Sequence, residues 1–293
     1  MHPTDLKRSA LLYSCHTQKT REAERFVQEH TLIHILSGNM QIQTLNGSYI
    51  LNPGNTVLLK RNQLIKAAKL PAETGEFKAV SVYLEQAVLK EYAKESNIST
   101  SFKYDKSDTD DNVKTDNITT DRTENEIYID EPGDSKNVMF LQNSPLYESY
   151  ARSLTAYHQG AYNNGLTGLK VKEALMLMLL VDPGAAKLLF DFHEPEKTDL
   201  KEFMETYFKF NVHIRHLAYL TGRSLATFKR DFTKTFHTSP SKWLQERRLK
   251  EACYLIKEKG MKPSEVYTEL GFEDFSHFSF AFKNAYGKAP SRI

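Results

Sequence analysis

Apolar and polar side chains alternate from residue 26 to residue 84, in FVQEHTLIHILSGNMQIQTLNGSYILNPGNTVLLKRNQLIKAAKL and then FKAVSVYL. Ser-Gly-Asn, Asn-Gly-Ser and Asn-Pro-Gly interrupt the runs. Period-two patterning divided by such turn residues predicts an antiparallel all-β meander. Several strands of this kind in succession suggest a sandwich or small barrel. The period then lengthens. SPLYESYARSLTAYHQG and GLTGLKVKEALMLMLLVDPGAAKLLFDF carry helical spacing and predict a helical hairpin, whose second member has more apolar positions than one buried face needs. Part of residues 169–180 is therefore expected to bury against the β domain or against a second copy, with Met178 among the outer positions. Between the β and helical stretches, residues 96–136 lose their apolar content and Asp, Glu, Ser, Thr and Asn dominate, which predicts a flexible acidic insertion. HEPEKTDL, residues 193–200, reads as a hinge.

From residue 199 onward the pattern is helical to the end. In IRHLAYLTGRSLATFKRDFTKTF, residues 214–236, Ile214, Leu217 and Ala218 mark a short helix and Gly222 supplies a turn with φ > 0. Ser224 caps a second helix, in which Leu225, Phe228 and Phe232 share the core face. Ala226, Lys229, Arg230 and Thr233 then share the outward face, where two cations suit a major groove. This is the arrangement of a helix-turn-helix, with the second helix as reader. SEVYTELGFEDFSHFSFAFKNAYG repeats it: Gly271 stands at the turn, Phe275, Phe278 and Phe282 pack inward, and Ser276, His277, Phe280 and Lys283 face outward. Between the copies, SPSKWLQERRLKEACYLIKEKG lays Trp243, Leu244, Leu249, Ala252, Leu255 and Ile256 in one helical stripe, ended by Gly260.

Charge sharpens this picture. The whole chain of 293 residues carries a formal net charge of only +2, yet residues 199–293 hold 17 Lys and Arg against 11 Asp and Glu, while the residues before them hold 22 against 26. A basic carboxy-terminal third suits a polyanion, and nucleic acid is the usual one for such a domain. The longest apolar stretch, ALMLMLLV at 174–181, is far below the ~20 residues of a bilayer span. The first residues contain no run resembling a signal peptide, so the cytoplasm is the expected location and no membrane association is expected. Cys15 and Cys253, the two cysteines, fall in different halves and suggest neither a disulfide framework nor a metal clip.

The stretch from about residue 217 to residue 290 resembles the DNA-binding domain of AraC/XylS-type transcriptional regulators. LAYLTGRSLATFKRDF, SPSKWL, RRLKEACYLI and above all GFEDFSHFSFAFKNAYGKAPS carry the likeness. LSGNMQIQTLNGSYILNPGNTVLL looks like the strand-turn core of the cupin-like sensor barrel that such proteins place before it, followed by dimerisation helices. The resemblance implies double-stranded DNA and RNA polymerase as partners, a homodimer, and an effector that is a small molecule or a protein. Activation is the commoner behaviour of the family. It also implies Arg where Phe280 stands, Gly where His237 stands, and a small residue where Tyr267 stands.

The expected fold is α+β: a cupin-like β-barrel with a helical hairpin over residues 1–192, and an all-α double helix-turn-helix over residues 199–293. The alternative is a cupin-type metal-dependent enzyme fused to a DNA-binding domain. His30 and His34 share a strand face, but the HxH with downstream Glu and His that holds a cupin metal is missing around them. No catalytic residue, metal ligand or cofactor is therefore assigned. Tyr49, His34 and Lys60 are polar candidates in the sensor, with nothing that selects a ligand.

Overall fold

The computed structural model describes residues 10–20, 23–73, 75–96, 98, 137–156 and 164–293. The acidic insertion read at 96–136 falls outside these, apart from Ser96 and Ile98. The β region contains β1 (Leu11–His16), β2 (Ala23–Val27), β3 (His30–Ser37), β4 (Asn39–Gln43), β5 (Ser48–Leu51), β6 (Thr56–Leu59), β7 (Gln63–Leu70), β8 (Phe77–Leu84) and β9 (Val138–Phe140). All pair antiparallel, in a five-stranded sheet of order β1-β8-β3-β6-β9 and a four-stranded sheet of order β2-β7-β4-β5. Of the two expected forms, a sandwich or a small barrel, the sheets take the first. The two sheets are open, and among the described residues no ladder joins one to the other, so the domain is a sandwich held by side chains.

Alternation along the strands assigns each side chain to a layer. Ile33 and Ile35 of β3 meet Met40, Ile42, Leu51, Ile65 and Ala67 between the sheets. Leu32 faces the other way, with Leu58, Val80, Val82 and Leu84, onto helices α1 (Gln86–Glu95), α2 (Pro145–Thr155), α3 (Asn164–Val181) and α4 (Ala185–Leu189). The five-stranded sheet is thus covered on both faces, which is why β3 is buried continuously from His30 to Ile35, with His30, Thr31 and His34 among its buried residues. The helical hairpin forms as expected. Met178, however, is fully buried in this core with Val171, Ala174 and Leu175, while Leu169, Met176 and Leu180 are the outward residues of α3.

The carboxy-terminal helices are α5 (Leu200–Tyr207), α6 (Ile214–Leu220), α7 (Leu225–Phe236), α8 (Pro240–Lys257), α9 (Pro263–Glu269) and α10 (Phe275–Tyr286). Their shared core includes Met204, Leu217, Phe228, Phe232, Leu249, Val266, Phe278 and Phe282, and one strand residue, Leu64 of β7, joins it. The stretch read as a hinge is tied down. Arg61 donates to the His193 carbonyl (2.9 Å) and pairs with Glu194 (3.3 Å), and Asp199 caps α5 by accepting from the Glu202 amide at 2.8 Å.

Candidate nucleic-acid interface

Two helix-turn-helix units, α6–α7 and α9–α10, flank α8. Each turn is set by a glycine in the left-handed region, Gly222 at φ 64° and Gly271 at φ 73°. A Cβ on Gly222 would lie 2.5 Å from the Glu196 backbone, and one on Gly271 would lie 2.6 Å from the Lys209 carbonyl, so neither turn tolerates a side chain. Each second helix begins with a side-chain cap: Ser224 accepts from the Thr227 amide (3.2 Å) and Asp274 from the His277 amide (2.6 Å). The two reading helices superpose in sequence with an offset of fifty residues. Phe228 and Phe232 match Phe278 and Phe282, all fully buried.

The outward faces agree with the sequence reading. Ala226, Lys229, Arg230 and Thr233 are exposed on α7, and Ser276, His277, Phe280 and Lys283 are exposed on α10. Phe280 is 66% exposed, the fullest among the aromatic residues of this region. Two inward assignments need correction. Leu225 and Phe275, equivalent residues in the first turn of each reading helix, are 42% and 43% exposed rather than core. Phe275 packs edge-on against Tyr267 (5.5 Å between centroids), which accounts for an aromatic at position 267. His237 takes the left-handed conformation (φ 55°) that closes α7, where a glycine costs less.

Behind the reading helices lies a polar scaffold that the sequence reading missed. Arg248 sits on the buried stripe of α8 and donates to the carbonyls of Phe208 (2.7 Å), Phe210 (2.9 Å) and Gly271 (3.3 Å). Its signal was present in the sequence: an arginine four residues from both Leu244 and Ala252, inside an apolar stripe, must find buried acceptors. Glu24 of β2 and Lys66 of β7 pair at 3.2 Å on the sheet face toward the helices. Phe26 of β2 stacks on His216 (4.7 Å) and meets Tyr219 edge-on (5.8 Å). Burial, with Arg215 and His213 nearby, lowers the His216 pKa below the ordinary imidazole range.

The histidines once weighed as metal ligands are engaged otherwise. His34 Nδ1 bonds Thr56 Oγ1 at 2.9 Å, and His30 Nδ1 accepts from the Arg61 amide at 3.3 Å. Burial, reinforced by the Arg61 and Lys60 charges, pushes His30 down to about 3, so it stays neutral. Among the described residues no three His, Cys, Asp or Glu side chains gather as a metal site. Of the other polar candidates, Tyr49 is buried and Lys60 is paired with Asp191 at 3.2 Å. No helix of the described residues is long and apolar enough to cross a membrane.

The chain is similar in sequence to known transcription regulators. Residues 217–293 match the family model described as a helix-turn-helix domain, and residues 30–125 match the ExsA N-terminal regulatory domain. The virulence regulon transcriptional activator VirF of Yersinia enterocolitica is 28% identical over 161 residues, 54% of this chain and 59% of that protein. The chain therefore matches about three-fifths of the length of that relative. The HTH-type transcriptional regulator ExsA of Pseudomonas aeruginosa is 21% identical over 282 residues, covering 95% of this chain and 91% of that one. A solved structure of ToxT from Vibrio cholerae aligns over 97% of both chains at 14% identity with a TM-score of 0.37. The matched families are families of transcription regulators.

Proposed function

We propose, from the premise that the chain belongs to the AraC family of helix-turn-helix regulators, that it binds double-stranded DNA sequence-specifically and activates transcription. The observation that carries this reading is the pair of capped reading helices, α7 and α10, both with exposed outward faces and with one continuous helix, α8, between their units. Helix α8 has 18 residues and is ~27 Å long, comparable to the ~34 Å between successive major-groove segments. Arg230 and Lys229 read from α7, with Ala226 and Thr233 beside them. On α10, Phe280 contacts a thymine methyl group, Ser276 and His277 accompany it, and Lys283 meets phosphate.

In this reading the domain over residues 1–192 receives the regulatory signal from a small-molecule or protein effector and supplies a homodimer interface. The protein acts in the cytoplasm alongside RNA polymerase, with no cofactor and no catalytic site. Arg230→Ala should cost ~1–3 kcal/mol of specific binding and relax base choice at one or two positions, measured across a panel of base-substituted sites. Uniform weakening across the panel would reduce Arg230 to a phosphate contact, and unchanged selectivity would remove it from the interface. In the same panel, replacing the contacted thymine by uracil should weaken wild type and add little to Phe280→Ala. Additive losses would take Phe280 off the methyl.

A further inference from the structure

The outer face of strands β2 and β7 is an instrument for holding the second helix-turn-helix. Glu24 and Lys66 are direct cross-strand partners in the β2–β7 ladder, so both point to the same side, away from the core between the sheets. Their side chains are only 10% and 7% exposed. Lys66 Nζ pairs with Glu24 (3.2 Å) and donates to the carbonyl of Glu269 (2.7 Å), the last residue of α9. Glu24 accepts from the Asn211 amide on the segment between α5 and α6. That segment is the one whose carbonyls Arg248 gathers together with Gly271. Lys209 adds an ion pair to Glu269 at 3.3 Å. The turn is gripped from both sides, and Phe272 passes the hold onward by packing edge-on against Phe278 of α10 (5.0 Å).

A buried ion pair is by itself a weak source of stability. Burial pushes the Glu24 carboxyl up despite Lys66 and the Asn211 amide, so desolvation outweighs the attraction. Replacing a buried ion pair by an apolar pair of similar volume is often neutral or stabilising. What an apolar pair cannot do is donate to one fixed carbonyl and accept from one fixed amide. We propose that Glu24 and Lys66, on the regulatory sheet, are positioning residues for the second reading helix, so that base discrimination in the second half-site depends on the amino-terminal domain. The inference rests on the DNA-binding reading above.

The test uses the full chain. Lys66→Met and Glu24→Gln each leave a buried group without its partner and can unfold the protein, so the Glu24→Met/Lys66→Met double variant, which keeps the face packed, decides the matter once circular dichroism shows it folded. Without DNA, its amide hydrogens at residues 270–274 should exchange at least tenfold faster than in wild type, with those of α6 and α7 unchanged. With DNA, discrimination in the second half-site should fall from the ~5- to 150-fold per base pair of a well-read position toward onefold, while the first half-site keeps its own. Unchanged exchange at 270–274, or discrimination lost equally in both half-sites, overturns the positioning role. A wild-type chain that discriminates in neither half-site overturns the DNA-binding reading itself, which the exchange measurement alone cannot do.

Discussion

Arg230 and Phe280 occupy equivalent positions on the two reading helices, and the difference between them is a difference in what a groove can offer. A guanidinium makes two parallel hydrogen bonds to guanine, whereas a phenyl ring can only be covered by an apolar group, and the thymine methyl is the apolar group of the major groove. On the proposed function, one half-site would be read by polar hydrogen bonds and the other by apolar contact. Away from the interface, single residues set the acid response. His30 is fully buried in β3 and held near a pKa of about 3, below the ~6.5 of an unfolded histidine. Below pH 6.5 the unfolded chain takes up a proton that the folded chain refuses, so this residue's contribution to stability is complete above pH 6.5 and is lost as pH falls toward 3. Between pH 6.5 and 4.5 the loss should reach ~2–3 kcal/mol. His30→Leu removes this slope, so urea unfolding at the two pH values should show the variant gaining on wild type by that amount. A constant difference would mean that His30 is protonated in the native state or already desolvated in the unfolded one.

At the scale of elements, helix α3 divides into a buried stripe and an outward one. Val171, Ala174, Leu175 and Met178 face the sheet, while Leu169, Met176 and Leu180 lie at i, i+7 and i+11 and are 65%, 61% and 70% exposed. Three large apolar residues in line are more than chance scatter on a surface, and a second copy of the same stripe would cover them. Met176→Glu should convert a homodimer into monomers in sedimentation velocity, with Met178→Glu instead destabilising the fold itself. A dimer that survives Met176→Glu would place its interface elsewhere. The split also shows what was legible in the sequence. The two helix-turn-helix units, their glycine turns, the Ser224 cap and the outward residues of α7 and α10 could be read from local patterns, because short helices specify their faces within a few turns. The layering of the β domain could not. Period-two patterning says which residues share a face but not which face another domain covers, so nothing local marks Glu24 and Lys66, whose strands are distant in sequence, as a buried pair. The choice between sandwich and barrel stayed open for the same reason: sheet closure depends on which edge strands pair, and alternation is identical in a barrel and in two facing sheets.

For the molecule as a whole, the decisive feature is that the two proposed reading helices belong to one packed unit. They share a single core, α8 runs unbroken between the units, and the segment between α5 and α6 is bound to the second turn through Arg248. A pair of readers on a flexible linker would accept half-sites at several spacings, losing only the modest entropy of a longer loop. A rigid pair accepts one. Inserting five base pairs between the half-sites turns the second through about half a helical turn, and inserting ten restores its face but moves it ~34 Å further along the axis. We expect both insertions to abolish the contribution of the second half-site, leaving the affinity of the first half-site alone, as measured by fluorescence anisotropy at fixed salt. Recovery of full affinity at ten base pairs would show that the two units separate on DNA, and would move the reading of the second half-site from one chain to the two chains of a dimer.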